Sequence, residues 1–384
     1  MKIGAEEIKN ALLSVLKQKK EFPIGEINDY LIEKNLINER MDFRDIFDIA
    51  EPVMRNLGLE WYGVYGHHGI FVRDPKGVVL DELKNKIEVD GWAHIPDGLY
   101  GSIDRCIRAV FGMGLEEVLS RYEKEINGGF NALKSKYYKE NEEKIQLPKY
   151  EDEWEIMAYL LHYFYVNYPK LSCILFEHLE KPEKRVELLP EKNFLDVFDF
   201  GAGPGTALRS ICDFLEDAKT IGSYIDTELG IYFVEKNDRF AEVCEILLDD
   251  FDFVTKVERA GDEILDDPYL FFDLIIFSNV VSELNMSIEE KVRYLNKFRS
   301  KLKENGHIII LEPVYKSQRD DLGCLCNELR DEGSCEIVYY SDRTVRKRLK
   351  TPEMTTKAIK DYFEGEVAKN TIRYVYAILR QRLS

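Results

Sequence analysis

The chain has 384 residues, 45% of them hydrophobic, and a formal net charge of −18. That is length for two domains, or one with an extension, and enough apolar content for ordinary globular cores. The negative charge excludes a general nucleic-acid scavenger, so any contact with RNA or DNA must use a local basic patch.

No stretch is apolar over the length of a membrane span, and the first residues are polar and charged rather than signal-like, so the expected location is the cytoplasm, with no membrane partner. Of seven cysteines, Cys106, Cys173, Cys212 and Cys244 sit inside apolar helical patterns, where reduced, buried thiols are expected.

Residues 1–75 read as three helices and a hairpin. Ile8, Leu12, Val15 and Leu16 share one helical face, and Ile27, Tyr30 and Leu31 mark a second helix. Asp42 caps a third, carrying Phe43, Ile46 and Phe47 and interrupted at Pro52. Two strands, Leu59 to Val64 and Ile70 to Arg73, then flank Tyr65-Gly66-His67-His68-Gly69. The order suggests a winged-helix-like module. Docking of its third helix on nucleic acid is opposed by Asp45, Asp48 and Glu51, which phosphate repels, so packing or protein contact competes with that role.

Residues 76–150 read as a charged, largely helical connector, broken at Gly128-Gly129 and ending near Pro148. A long aromatic helical stretch follows from Trp154 to Leu179. Its Met157, Leu160, Leu161, Phe164, Tyr165 and Tyr168 are expected to pack over the next domain, and Pro169 to divide it.

From residue 151 onward the chain is expected to hold one α/β domain with leading helices. Phe194, Leu195, Val197 and Phe198 make a strand buried on both faces, closed by Asp199. Gly201-Ala202-Gly203-Pro204-Gly205-Thr206 turns into a helix carrying Leu208, Ile211 and Phe214. Such a turn brings backbone close to a ligand and aims helix N–H groups at it. A P-loop wants Gly-Lys-Ser/Thr after its last glycine, whereas Thr206-Ala207 stands here. A dinucleotide turn wants its third glycine where Thr206 is.

An acidic strand end followed by G-x-G-x-G resembles instead motif I of the class I S-adenosylmethionine (SAM) methyltransferases. The resemblance implies a Rossmann-like, seven-stranded, mostly parallel sheet and SAM as cofactor, held by Asp199, Gly201, Ala202, Gly203, Gly205 and Thr206. Further strands are expected at 231–234, 253–257, 272–277 and 307–311, with a last pair at 335–340 and 372–379. Glu235 then stands where a carboxylate accepts from both ribose hydroxyls. Asp262 is placed to accept from the adenine amino group or to cap a helix, and Ser278 and Asn279 close the fourth strand.

Glu283 and Glu312 are the candidates for a base or an acceptor-orienting group. A helix-capping role for Glu283, on the helix from Ser287, competes. Neither an Asn/Asp-Pro-Pro-Tyr loop nor a Pro-Cys pair follows the fourth strand, which disfavours base-amino and pyrimidine-carbon acceptors of those kinds.

The run from Phe198 through Gly205 to Ala207, with Asn279-Val280-Val281-Ser282-Glu283-Leu284 and Ile310-Leu311-Glu312-Pro313, resembles the Rsm22-type methyltransferase-like family associated with the small ribosomal subunit. Ala158-Tyr159 through Tyr168-Pro169 is similar to the helices preceding its motif I. The resemblance covers roughly residues 155 to 384. It implies methylation of ribosomal RNA, or a role in ribosome assembly, with RNA or the small subunit as partner.

That family often carries four cysteines on an iron–sulfur cluster. This chain offers Cys324, Cys326 and Cys335 without a fourth, so no metal is assigned. Arg343, Arg346, Lys347, Arg348 and Lys350 form the clearest basic run, which would contact phosphate or decorate a helix. The alternatives are a methyltransferase acting on a small metabolite or a protein, or an assembly factor that binds SAM without turnover.

Overall fold

The computed structural model describes residues 4–18, 21–57, 59–63, 70–73, 78–89, 92–137, 152–180, 188–190, 192–220, 227–284, 286–314, 316–332, 335–341, 344–350 and 371–381. His67, His68, Pro148 and Arg343, singled out above, lie outside them. Contacts divide the chain into two compact units, residues 1–86 with 213–226, and residues 87–212 with 227–384.

The first unit begins with α1 (Ala5–Gln18), β1 (Glu21–Pro23), a 3-10 turn (Ile24–Glu26), α2 (Ile27–Glu33) and α3 (Phe43–Asn56). Asp42 caps α3 as expected, accepting from the Arg44 amide at 2.9 Å. The helix does not stop at Pro52 but runs through it. The strands β2 (Glu60–Gly63) and β3 (Ile70–Arg73) pair antiparallel, and β1 adds to the far side of β3. Ile8, Leu12, Phe22, Leu31, Ile46, Ala50, Met54 and Val72 are buried in this unit. The chain continues into α4 (Val78–Ile87).

The second unit opens with two short strands, β4 (Glu88–Val89) and β5 (Trp92–His94), then α5 (Asp97–Phe111), α6 (Leu115–Arg121) and α7 (Glu123–Tyr137). The connector is therefore not all helical. β5 lies parallel to a strand more than 250 residues later and extends the main sheet. Nor do Gly128 and Gly129 break the helix. α7 passes through both, and a side chain at Gly129 would collide with the Trp154 carbonyl, so the glycine is there for close helix packing.

Next come α8 (Glu153–Ala158), a π-helical turn (Tyr159–Tyr163) and α9 (Phe164–Glu180). α9 runs on through Pro169, and the irregularity lies earlier, in the π turn.

The alternating part follows: β6 (Phe194–Phe200), α10 (Thr206–Thr220), β7 (Glu228–Val234), α11 (Asp238–Leu248), β8 (Val254–Arg259), β9 (Phe272–Ser278), α12 (Ile288–Arg299), β10 (Leu302–Pro313), α13 (Lys316–Asp331), β11 (Cys335–Tyr340), β12 (Val345–Lys350) and β13 (Thr371–Gln381). The sheet order is β4-β5-β12-β13-β10-β9-β6-β7-β8, with β11 also on β13. β8, β7, β6, β9 and β10 are parallel, and β13 runs antiparallel beside β10. This is a Rossmann-like α/β fold.

Its strands are apolar on both faces because helices cover both: Phe272 through Phe277 are all buried. At the amino ends, Asp273 accepts from the Asp196 amide and from Lys192 and Lys303 at 2.8–2.9 Å, which ties β6, β9 and β10 in register. The basic run lies on the strand β12, not on a helix. Lys347 pairs with Glu88, and the Arg348 guanidinium lies over the Trp92 ring.

Candidate functional site

Between β6 and β9 the strand order reverses, and there the carboxyl ends of the strands leave a crevice. β6 delivers Asp199 to its lip. The side chain is fully buried, and neither carboxylate oxygen has a hydrogen-bond partner. Burial, with the neighbouring Glu235 charge adding to it, pushes its pKa up to about 8.

The turn after β6 is held by two amides, Gly201 and Ala202, both donating to the Val234 carbonyl at the end of β7, at 2.9 and 3.0 Å. Gly201, Gly203 and Gly205 all have left-handed φ, at 71°, 57° and 75°. Their surroundings differ. A Cβ on Gly201 would meet Val280 at 2.7 Å, and one on Gly205 would meet the Cys244 sulfur at 2.5 Å. A Cβ on Gly203 meets nothing within 4 Å. Two glycines thus let protein pack on protein, and the middle one faces open space.

Glu235 follows β7 and closes on that turn. The Gly203 amide donates to its Oε2 at 2.8 Å and the Asn237 amide to its Oε1 at 2.6 Å. Burial raises its pKa and those amides oppose the rise. A carboxylate has about four acceptor sites, so two remain for a ligand's hydroxyls.

Thr206 opens α10 with its buried Oγ1 unpartnered. Asn279 closes β9 in a left-handed conformation, φ 59°, its amide bound to the Leu311 carbonyl at 2.7 Å and its Oδ1 unpartnered. Its Nδ2 donates to Ser278 Oγ at 3.4 Å. Asp262 begins a 3-10 turn, Asp262–Asp266, and its side chain lies outside what the structure describes.

Glu312, on β10, is almost fully buried and accepts from the Ser282 amide at 3.1 Å and the Ser282 hydroxyl at 2.6 Å. Burial raises its pKa to about 6 against those two bonds. It fixes the turn that presents Glu283. The capping role considered for Glu283 is filled otherwise: Ser287 and Glu290 form the capping box of α12. Glu283 is half-buried, and burial, then Glu312 and Glu235, push its pKa up to about 8.

Reading the sequence missed Tyr159 and Lys170, which border this group, and Asn167, which binds both. Tyr159 lies in the π turn within the field of Glu283 and Glu235, its hydroxyl 3.4 Å from Asn167 Nδ2. Lys170 is buried, donates to Asn167 Oδ1 at 2.6 Å and has its pKa lowered to about 8 by burial, against the pull of Glu312. The signal was present: polar or hydroxyl-bearing residues at 159, 163, 167 and 170 recur at helical spacing inside an apolar stretch.

The unsatisfied atoms carry one message. Asn279 Oδ1 accepts, and both Asp199 oxygens accept once that carboxyl has lost its proton, a change that positive charge or donors from a ligand would favour, so the crevice suits such a ligand. A pyrophosphate, itself an acceptor, does not match. The adenosyl group, ammonium and sulfonium of SAM do. Among the described residues no group of three His, Cys, Asp or Glu is gathered to hold a metal, and no helix is long and apolar enough to cross a membrane. Cys324 is exposed, and Cys326 and Cys335 are buried.

Neither known protein families nor curated proteins include a match to this chain. Solved structures of similar fold include the precorrin-6y C5,15-methyltransferase of Geobacter metallireducens, 17% identical over 52% of this chain and 85% of that one, TM-score 0.33. A SAM-dependent methyltransferase from Thiobacillus denitrificans, in complex with S-adenosyl-L-homocysteine, is 12% identical over 53% and 92%, TM-score 0.32. A mitomycin 7-O-methyltransferase is 10% identical over 98% and 94%, TM-score 0.31.

Proposed function

We propose that the chain is a SAM-dependent methyltransferase. The observation that carries this is the open side of Gly203 at the reversal of the sheet, ringed by unpartnered acceptors on Asp199 and Asn279 and by the Glu235 carboxylate. The backbone of Gly201 to Gly205 with Thr206 would line the cofactor. Glu235 would accept from the ribose hydroxyls, Asp199 would face its positive charge, and Ser278, Asn279 and Asp262 would border the adenosyl group. Bound there, SAM supplies an electrophilic methyl group with a neutral thioether as its leaving group. The chain's own residues orient the acceptor, exclude water and, where the acceptor carries one, remove a proton.

Glu283 is the group for that proton, and Glu312 positions it through Ser282. Two acceptor readings remain. Ribosomal RNA, or a part in small-subunit assembly, follows from the family resemblance. It is supported by the three helices and the β1-β3-β2 sheet of the first unit, the element order of a winged helix. A small or protein-borne acceptor is favoured by a specific feature: the crevice is acidic, and two of the basic residues at 346–348 are engaged with Glu88 and Trp92. The cytoplasm remains the proposed location.

Calorimetric titration of the chain with SAM and with S-adenosylhomocysteine tests the cofactor reading, and absence of binding to folded protein overturns it. Incubation with methyl-labelled SAM and fractionated extract then separates an RNA acceptor from a small-molecule or protein one.

A further inference from the structure

We propose that the crevice takes an amine as its methyl acceptor, bound between Tyr159 and the uncompensated carboxylate of Glu283, which removes the ammonium proton. This names the acceptor chemistry of the site above and rests on its reading as a SAM site.

Four carboxylates stand at the carboxyl edge of the sheet: two are held by protein donors, and a third, the buried Asp199, is left to the proposed cofactor. Glu235 takes two backbone amides and feels Arg259. Glu312 takes both donors of Ser282 and has Lys170 and Lys291 in its field. Asp199 borders the cofactor turn. Glu283 differs: the charges acting on it are Glu312 and Glu235, both negative, and among the described residues no hydrogen bond or ion pair reaches its carboxylate. Burial and those two neighbours disfavour the Glu283 anion, so an incoming cation stabilises it and an incoming anion is repelled further.

The wall beside it is aromatic. Tyr159 and Tyr163 lie with ring centroids 5.5 Å apart, both half-buried, and Tyr159 packs on Phe240 at 5.1 Å. The π turn sets these rings one helical turn apart, at the position where the helix ladder is widened. Tyr159 lies within the field of Glu283, and aromatic rings with a carboxylate in their field suit an ammonium group. A phosphate-bearing acceptor would bring negative charge toward Glu283, Glu312, Glu235 and Asp199 together. Lys170, already bound to Asn167 and facing Glu312, does not offset that.

An ammonium cannot attack a methyl group, because its nitrogen lone pair is tied up in the N–H bond. In the proposed step that N–H bond breaks, its electron pair stays on nitrogen and the proton passes to a Glu283 oxygen. The freed pair then forms the N–C bond to the methyl group, while the pair of the breaking C–S bond remains on sulfur as the thioether. Charge balances: one carboxylate is neutralised and one sulfonium is discharged.

The test is binding to the full chain loaded with S-adenosylhomocysteine, read by calorimetry. The probes are butylammonium, benzylammonium and an acetylated, amidated Gly-Lys-Gly peptide, each against its neutral alcohol or norleucine counterpart. We expect at least one amine to bind and its neutral counterpart not to. We expect Glu283→Gln to weaken that binding by about tenfold or more, a loss of about 1.4 kcal/mol, with homocysteine-product affinity unchanged. Glu283→Asp, which keeps the charge, should retain most of it, and thermal melts establish that both variants fold. The free amines and the peptide distinguish a metabolite from a lysine side chain. Equal binding of the neutral counterparts, undiminished amine binding in folded Glu283→Gln, or no amine bound by a chain that does hold S-adenosylhomocysteine overturns the amine assignment alone. Failure of the wild-type chain to hold S-adenosylhomocysteine overturns the cofactor reading first.

Discussion

Asp199, buried, and Glu235, half-buried, are neighbouring carboxylates with opposite fortunes: Glu235 receives the amides of Gly203 and Asn237, and Asp199 receives nothing. The strand ends that carry them are adjacent and parallel, Asp199 standing level with Phe233 and Phe200 with Val234. One side chain builds the turn, and the other is left for a ligand.

This asymmetry predicts a pH effect. The folded-state pKa of Asp199, about 8, lies above its unfolded value of about 4. As pH rises between them, the folded chain keeps a proton that the unfolded chain has lost, so stability falls. Glu283 and Glu312 act in the same direction. Asp199→Asn removes one contribution: its thermal midpoint should exceed that of the wild type at pH 8 and match it near pH 4. The same variant should bind SAM about tenfold more weakly or worse, because an amide cannot neutralise a cation. Equal midpoints at pH 8 would remove Asp199 from the account.

Two of the glycines predict different phenotypes. Gly203→Val should leave a folded chain, destabilised by about 1–2 kcal/mol for a left-handed non-glycine residue, that no longer binds SAM. Gly205→Val adds a clash with Cys244 and should cost about 3 kcal/mol or more. Urea titrations paired with calorimetry separate the two. Unchanged SAM affinity in folded Gly203→Val would falsify the cofactor assignment to this turn.

Ser282 tests how Glu283 is held. Ser282→Ala leaves Glu312 with the backbone amide alone and should cost about 1–3 kcal/mol, the range for a bond to a charged group. Methyl transfer should fall while SAM affinity stays, because the loosened turn carries Glu283 and not the glycines. A matching fall in affinity would place Ser282 in the cofactor site instead.

Away from the crevice, buried Arg209 donates to Asp250 at 2.5 Å and to the Leu247 carbonyl at 3.0 Å, and Ser102 donates to the same carboxylate at 2.7 Å. Burial would raise the Asp250 pKa, but the bonds from Ser102 and Arg209 outweigh it and hold the carboxyl low. Its stabilisation is therefore present above the unfolded pKa of about 4 and lost as pH falls through the lower folded value. Asp250→Asn should cost about 3 kcal/mol at pH 7, with the gap to wild type closing in acid. Denaturation curves at pH 7 and pH 3 measure both.

How much of this was legible beforehand follows from range. Asp199, the glycine turn and Glu235 form a local pattern, because strand, tight turn and helix N-terminus each demand particular residues within a few positions. The alternation of apolar runs and helical faces likewise settles an α/β sheet, since only strands covered on both faces read that way. Boundaries followed less well where a signal was weak against packing: Pro52, Pro169 and Gly128-Gly129 read as breaks, and the helices pass through all of them.

Tertiary structure alone decided the rest, because it depends on pairs distant in sequence. No local pattern shows that β5 joins β12, that Glu312 holds Ser282, or that Tyr159 and Lys170 lie in the fields of Glu283 and Glu312. The sequence determined what kind of turn this chain makes and which carboxylates stand at its strand ends. Folding decided which of those carboxylates are satisfied, since a hydrogen bond is counted only when both partners are in place, and so decided which are left to meet a ligand.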